Sequence, residues 1–508
     1  MYSLSKKEYI LLIWCFTLPL LLYSGAIDPF APLHTVPMEK IINEGNTDSK
    51  LLSINICFYL WGSMISLVSG ISTNNLIFLP IQLFPSIFLF FILFRELSGS
   101  SMISSLFTII YVITDISGNK FFLWVHGEGL IFLFLILYLL IKISQYRSKI
   151  EYHILLFISL FLVVNVSYTI TFQILLLLPA VYILLFFIEK DKHQLVSLIY
   201  FLIFLIVVQF GLSDFVYTNF IPEMMKADSS LSAIDNFIFN FFRTAESSYI
   251  LRGTAIVYPN SITIVNSIKY VVLSISITIA LIVSLNRIAI FKRLEYEFVV
   301  LNAMIFSSIG YFIVKLNMGQ FAIGILFYPG IISICLISKF SKNRRYLYNV
   351  AIISIAVILV LTTVSYSIYH ENNLIPRNNH NFKYIEPSVY WYLEHSNGLG
   401  ISDVQTNNLY YMYISQRILD DNKKLESINY YFDVFDPSTN KYPLMKEDVN
   451  ELDAKYFIIN NQLQTIAIIK WIILKPWLNF EDEIEMNENY YKIYNSQYIY
   501  VLSIKAKA

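Results

Sequence analysis

The sequence contains many apolar runs of about 17–25 residues, the length that an α-helix needs to cross a bilayer. From these runs we predict about eleven membrane-spanning helices, at 9–26, 76–94, 101–117, 121–141, 152–167, 169–188, 194–212, 265–285, 297–315, 319–338 and 348–368. Charged residues make up 14% of the 508 residues and hydrophobic residues 56%, whereas soluble proteins average about 25% and 45–50%. This composition excludes a soluble enzyme, a disordered chain and a nucleic-acid-binding protein.

The run 51–70 is ambiguous, because Ser, Asn and Gly interrupt its apolar residues. Cytoplasmic loops carry an excess of Lys and Arg, and this rule decides between a spanning and a surface helix. If 51–70 lies on the membrane surface, the short basic loops all fall on one side. Their basic residues are Lys6, Lys7, Arg95, Lys142, Arg147, Lys149, Lys190, Lys192, Arg287, Lys292, Arg293, Lys339, Lys342, Arg344 and Arg345. We therefore predict a multi-pass cell-membrane protein with a cytoplasmic N-terminus, an interfacial helix over 51–70 and an extracytoplasmic C-terminal tail.

This topology divides the chain into a transmembrane domain, 1–369, and an extracytoplasmic domain, 370–508. The first has two large outer loops, 27–75 and 213–264. In the second loop AIDNFIFNFFRTA has apolar residues at helical spacing and predicts another interfacial helix. In the tail we predict helices at IEPSVYWYLEHS and QTNNLYYMYISQRI, strands at LGISDV and AKYFIIN, and a hairpin in YYKIYNSQYIYVLSI. The predicted fold is thus a mostly α polytopic membrane protein with a small C-terminal α/β domain.

Asp28 is the first candidate for a catalytic residue. It lies at the outer end of the first predicted span, in GAIDPFAPLHTVPMEK. A carboxylate next to hydrocarbon is costly and by default indicates a functional site. Pro29 disfavours helical backbone at Asp28, so we expect the side chain to leave the helix and face an outer cavity. His34, Glu39 and Lys40 follow in the same loop and are candidate substrate-binding residues, with a structural or solvated role as the alternative for each.

A second polar cluster stands between the third and fourth predicted crossings and holds Asp115, Lys120, His126 and Glu128. A carboxylate and an imidazole at membrane depth need partners or a wet cavity. Such a pair is suited to acid–base chemistry or to a divalent cation, Mg²⁺ or Mn²⁺. On an ideal helix His126 and Glu128 point about 200° apart, so they share one ligand only if the segment is irregular. The alternative is that both bond to neighbouring helices.

Few basic residues lie on the predicted outer side, and each is a candidate for holding a phosphate or pyrophosphate near the lipid headgroups. They are Arg243, Arg252, Lys269 and Lys315. Lys315 is the strongest of them, because IVKLNMGQF places it between two spans. Its alternative role is to extend its amine to lipid headgroups.

These residues and this layout resemble the GT-C membrane glycosyltransferases, which use polyprenyl-phosphate-linked sugars. Asp28-Pro29-Phe30, followed by His34 and MEKIINEG, is similar to the first-loop acidic motif of oligosaccharyltransferase catalytic subunits. His126-x-Glu128 stands near a second acidic motif of those enzymes, and PSVYWYLEHSNGLGISDVQTNNLYY resembles the start of their outer domain. The WWDYG signature of oligosaccharyltransferases is absent, and SDVQT stands in the corresponding stretch.

The resemblance implies an inverting hexosyltransferase that takes a sugar from a polyprenyl phosphate. Without the signature, the implied acceptor is a lipid, glycan or surface polymer rather than a peptide sequon. Asp28 would accept the acceptor's proton, Lys315 or Arg243 would stabilise the departing phosphate, and His126 with Glu128 would bind the acceptor or a cation.

Two other functions fit the same layout: a transporter or flippase of lipid-linked sugars, and a polysaccharide polymerase. A transporter would place polar residues at the midplane of the membrane and often contains internal repeats, whereas here the polar residues gather at the outer surface. A polymerase is not expected to end in an ordered outer domain.

Overall fold

The computed structural model describes most of the first 215 residues and, beyond them, the later helices and parts of the C-terminal tail. The described residues are 6–22, 31–45, 52–76, 79–114, 125–146, 149–188, 193–215, 248–251, 254–257, 260–291, 295–317, 326–340, 345–371, 385–396, 399–402, 406, 410, 454–460, 467–469, 472–474, 490–496 and 499–504.

Helices dominate the described part of the chain. Their bounds are α1 (Lys6–Leu22), α2 (Ala31–Glu44), α3 (Leu52–Ser69), α4 (Thr73–Leu76), α5 (Leu83–Ser98), α6 (Ser101–Thr114), α7 (Val125–Gln145), α8 (Ile150–Val164), α9 (Tyr168–Ile188), α10 (His193–Phe215), α11 (Asn260–Phe291), α12 (Tyr296–Asn317), α13 (Phe327–Phe340), α14 (Arg345–Glu371) and α15 (Glu386–His395). Many hydroxyls inside the apolar helices bond to a carbonyl of their own helix, as Ser276 Oγ does to Val272 O at 2.8 Å. Such bonds satisfy a polar group that has no access to water.

Five described helices are long and apolar enough to cross a membrane, which indicates a membrane protein. Their apolar stretches are Gly127–Gln145, Tyr168–Phe186, Ile264–Ile290, Tyr296–Val314 and Tyr346–Ile368. Each corresponds to a span predicted from the sequence. Shorter apolar helices fall on five further predicted spans, at Leu12–Leu22, Ser101–Thr114, Ile150–Val164, Leu198–Gln209 and Phe327–Phe340. The predicted count of eleven therefore exceeds the number of described helices that are long enough.

Helix α5 differs most from its predicted span, 76–94. Helix α5 begins at Leu83 and ends at Ser98, so that Arg95 and Glu96 lie inside it. Pro80 disfavours helical backbone in the residue before it, and a turn in which the Leu83 N–H donates to Pro80 O at 3.0 Å precedes the helix. The helix ends because Gly99 adopts a left-handed conformation with φ +63° and bonds through its N–H to Arg95 O at 2.9 Å.

Two ends of the helical bundle can be distinguished by their contacts. At the first, which we call the basic end, Lys142 Nζ is 2.7 Å from Glu96 Oε2 and Lys339 Nζ is 3.0 Å from Glu297 Oε1. At the other, which we call the loop end, α1 finishes, α7 and α9 begin, and Tyr366 donates to Leu22 O at 2.9 Å. A large apolar core, formed by residues of α1 and α5–α14, lies between the two ends.

Eight strands accompany the helices: β1 (Ser248–Leu251), β2 (Thr254–Val257), β3 (Leu399–Ser402), β4 (Ala454–Asn460), β5 (Ala467–Ile469), β6 (Ile472–Leu474), β7 (Tyr490–Asn495) and β8 (Ile499–Ile504), within the described ranges. The tail contains a sheet in the order β3-β4-β8-β7, with β3 parallel to β4 and the other pairs antiparallel. The strands predicted at LGISDV and AKYFIIN, the terminal hairpin and the helix at IEPSVYWYLEHS are all present.

The hairpins β1–β2 and β5–β6 have no counterpart among the elements predicted from the sequence. The interfacial helix predicted for AIDNFIFNFFRTA lies outside the described residues, as does most of the predicted helix QTNNLYYMYISQRI.

A second apolar cluster joins the segment between α1 and α5 to the tail. It contains Met38, Phe58, Tyr59 and Leu76 from α2–α4 together with residues of the tail, which are Ile385, Val389, Tyr392, Leu393, Tyr410, Tyr456, Ile458, Ile499 and Val501. We call this the outer cluster. The described tail therefore packs on the helices of the first loop, and the domain boundary at 369/370 stays a prediction.

Candidate functional site

The candidate site lies at the loop end, where α3 meets the beginning of α7 and the turn between α8 and α9. Helix α3 is kinked at Asn55, whose φ of −133° and ψ of 34° are not helical. A helix that restarts leaves its first N–H groups without a partner in the helix. The Cys57 N–H donates instead to Asn165 O, at 3.1 Å, in the turn after α8. This bond attaches α3, which was predicted as a surface helix, to the bundle.

Glu128 is buried beneath this junction. It stands in the first turn of α7, is only 9% exposed, and its Oε2 has no hydrogen-bond partner among the described residues. The N-terminal end of a helix favours a negative charge, which helps to hold a carboxylate there. The junction places Cys57 close to this carboxylate: burial, and then the charge of Glu128, raise the pKa of the Cys57 thiol.

His34, Tyr59 and Asn55 form a buried polar chain beside the junction. His34 Nδ1 is 3.3 Å from the Tyr59 hydroxyl, and the Tyr59 hydroxyl also bonds to the Asn55 side chain. Burial raises the pKa of Tyr59 to about 12, although the bond with Asn55 lowers it. The His34 ring packs edge-on against Phe58, with the ring centroids 5.4 Å apart. Tyr59 therefore keeps its proton at neutral pH, and the chain fixes the orientation of α2 on α3.

Glu39 and Lys40 lie half-buried on α2, after His34. The Thr73 hydroxyl donates to Glu39 Oε1, which links α2 to α4. This contact gives Glu39 a structural role, and substrate binding by Glu39 and Lys40 stays a prediction.

The predicted basic residues are less fully described. Lys269 is buried in α11, with its Nζ 5.3 Å from the centroid of the Tyr270 ring. Helix α11, which carries Lys269, packs mainly on α13 and α14, whereas α7, which carries Glu128, contacts α3. Lys315 stands in the last turn of α12 and is described only by its backbone.

Five predicted site residues lie outside the described residues altogether: Asp28, Asp115, Lys120, Arg243 and Arg252. His126 is described only by its backbone.

The helix α7 begins at Val125 and continues through Gly127 and Gly129. The segment therefore lacks the irregularity that a ligand shared by His126 and Glu128 requires. Within the described ranges, no three or more His, Cys, Asp or Glu residues lie together as a metal site would need. The described residues thus give no support to the divalent cation that the resemblance implies.

Sequence reasoning missed Asn55, Cys57 and Tyr59 as members of this site. The available signal was the set of polar residues within the apolar run 51–70, which separated this run from the spans but did not show what they contact. No protein-family model matches the chain, and no curated protein matches it.

Proposed function

We propose that this protein is an integral-membrane glycosyltransferase that acts at the loop end and faces the outside of the cell. It transfers a sugar from a polyprenyl phosphate to a hydroxyl of a lipid, glycan, protein or surface-polymer acceptor. The observation that carries the proposal is Glu128, a buried carboxylate at the end of a membrane-spanning helix, covered by helices of the first outer loop. Buried ionisable groups in membrane proteins mark sites of function.

The reaction needs a base, a leaving group and a cation that stabilises the negative charge of the leaving group. Asp28, at the outer end of the first span, takes the proton of the acceptor hydroxyl. The acceptor oxygen bonds to the anomeric carbon while the bond from that carbon to the phosphate oxygen breaks, which inverts the configuration. The departing polyprenyl phosphate keeps the electron pair, and a cation such as Lys315 or Arg243 stabilises its charge. Glu128 accepts a hydrogen bond from an acceptor hydroxyl.

The position of the charged residues favours a transferase over a transporter. In the described spanning helices most charged residues stand near helix ends, for example Glu128 and Lys142 of α7 and Glu297 of α12. Lys269, nine residues after the start of α11, is an exception. Transporters bind substrate near the midplane.

The test is a transfer assay with the full-length protein in lipid nanodiscs. A panel of polyprenyl-phosphate sugars is added with acceptor lipids and glycans, and released polyprenyl phosphate is measured. Asp28→Asn keeps the side-chain shape and removes the base, so transfer should fall by about 10²–10⁴-fold. Glu128→Gln should weaken acceptor binding and raise the acceptor KM.

Glu151→Gln is the matched control, since Glu151 is exposed at the start of α8, at the basic end. It should leave transfer unchanged. If no sugar donor of the panel is consumed, the proposed function is wrong. If transfer occurs but Asp28→Asn keeps normal activity, Asp28 is not the base. Parallel assays with EDTA and with Mg²⁺ or Mn²⁺ test the implied cation.

A further inference from the structure

A cluster of aromatic rings lies on the described part of the tail and shares no residue with the candidate site. It consists of Trp391 and His395 of α15 and Tyr494 of β7, and we call it the ring platform. The Trp391 and His395 rings are nearly parallel, with 9° between their planes and 5.3 Å between their centroids. The Tyr494 ring contacts the same indole, with centroids 5.0 Å apart and 34° between the planes. Two elements that are distant in sequence therefore bring three rings together.

Packing beneath the ring platform holds its rings in place. Trp391 and His395 are four residues apart and lie on the same face of α15. Trp391 and Tyr494 are half-buried against the outer cluster, whereas His395 is exposed. His395 is thus the outer ring of the stack, with one face toward Trp391 and the other turned away from it. A ligand that stacks on this outer face orders few side chains, which lowers the entropic cost of binding.

His395 also offers a hydrogen-bond acceptor at the surface. Its Nδ1 is 3.0 Å from the main-chain oxygen of Trp391. Because a carbonyl oxygen only accepts, Nδ1 carries the proton, and Nε2 of the neutral ring is an acceptor. Nε2 lies on the edge of the ring that is farther from the backbone. The exposed part of the stack thus combines an apolar ring face with a polar edge.

The charges near the ring platform favour a neutral ligand that is rich in hydroxyl groups. Helix α15 carries Glu386 and Glu394 and has no Lys or Arg, so an anionic ligand is repelled. Glu394 is exposed next to His395 in the sequence, and its carboxylate can accept from a hydroxyl. Lys492 of β7 lies over the Tyr500 ring, 4.0 Å from its centroid. Tyr500 alternates along β8 with the residues that face the outer cluster, so this cation lies on the other face of the sheet.

From this arrangement we infer that the ring platform binds a neutral glycan, with one sugar ring stacked on His395 and a sugar hydroxyl donating to His395 Nε2. The C–H bonds on the face of a sugar ring carry small positive partial charges, and the face of an aromatic ring is negative. A protein partner fits less well, because a stable interface buries about 800 Å² on each side, far more than three partly covered rings offer. The inference goes beyond the proposed function, since the ring platform holds a glycan whether or not a sugar is transferred.

The test is saturation-transfer difference NMR of the full-length protein in lipid nanodiscs, with empty nanodiscs as the blank. Maltotetraose, cellotetraose and chitotetraose are the neutral probes, and we expect at least one of them to bind. His395→Ala removes both the ring and the acceptor and should weaken binding roughly tenfold. His395→Phe keeps a ring, removes the acceptor and should weaken binding roughly threefold. The control Tyr346→Ala removes an exposed ring at the start of α14, at the basic end, and should bind normally.

Carbene footprinting of the unmodified protein gives a second measurement, so that poor folding of a variant cannot decide the result. Labelling of α15 and β7 should fall when the bound tetrasaccharide is added. The inference is overturned if none of the three neutral probes binds, if His395→Ala binds as tightly as the unmodified protein, or if protection maps elsewhere. Tighter binding of tetragalacturonate than of the neutral probes would show that the ring platform selects an acidic glycan and would also overturn it.

Discussion

The ion pair between Lys142 and Glu96 gives the sharpest test of how the bundle is held together. Lys142 is 1% exposed and Glu96 16% exposed, and their charged atoms are 2.7 Å apart. Removing one member of a buried pair costs about 3–5 kcal/mol, because the other charge stays buried without its partner. For Lys142→Met we expect the lower end, about 3 kcal/mol, because Glu96 keeps its hydrogen bond from Gln145 and part of its access to solvent.

The measurement is the free energy of unfolding in mixed micelles, from titration with a denaturing detergent. The double variant Lys142→Met/Glu96→Gln should recover most of the loss, since a neutral amide is much less costly to bury than a carboxylate. Lys6→Met is the control for removing an exposed lysine and should change the free energy of unfolding by less than about 0.5 kcal/mol. The ion pair does not stabilise the bundle as argued if Lys142→Met lowers the free energy of unfolding no more than this control does. The same holds if the loss in the double variant equals the sum of the losses in Lys142→Met and Glu96→Gln.

Three further predictions concern packing, ionisation and orientation. Gly129→Ala places a Cβ 2.6 Å from Ser167 Cβ and should lower the free energy of unfolding by about 1–3 kcal/mol, whereas Gly310→Ala meets only the flexible end of Leu176 and should cost less. Because burial and the charge of Glu128 raise the pKa of Cys57, alkylation of Cys57 at pH 8 should be slower than that of an exposed cysteine and should accelerate at higher pH. The variant Glu128→Gln should speed the alkylation of Cys57 at pH 8. An unchanged rate in this variant would mean that Cys57 and Glu128 are not neighbours. Single cysteines introduced at 27–50 or 380–500 should react with an impermeant reagent from outside, and those at 342–346 should not; the opposite pattern would invert the proposed orientation.

The sequence predicted elements best where a local pattern determines them. The short run of aromatic and β-branched residues in AKYFIIN and the turn at Asn495-Ser496 predict β4 and the β7–β8 hairpin without knowledge of the rest of the chain. Helix α5 shows the limit of this approach. A hydropathy window ends it before Arg95 and Glu96, but contacts of Glu96 with Lys142 and Lys339, which are distant in sequence, keep this end of the helix within the bundle.

The candidate site could be predicted only in part for the same reason. Glu128 stood out because a carboxylate at membrane depth is costly. Cys57 and Tyr59 carry no such signal, and their role depends on the kink at Asn55 and on the turn at Asn165, more than 100 residues away in the sequence. The predicted residues that lie outside the described part of the chain, Asp28 among them, remain predictions.

The outer cluster has a consequence for how the protein is made. Its first members, in α2–α4, leave the ribosome early, whereas Ile499 and Val501 belong to β8, the last strand within the described residues. At ordinary synthesis rates the helices of the first loop wait roughly 20–80 s for the tail that covers them. Membrane insertion of the bundle and closure of the outer cluster are therefore separate events. A chain that lacks β8 would insert all its apolar helices and still leave the cluster around Met38, Phe58 and Leu76 without the apolar cover that Ile499 and Val501 supply.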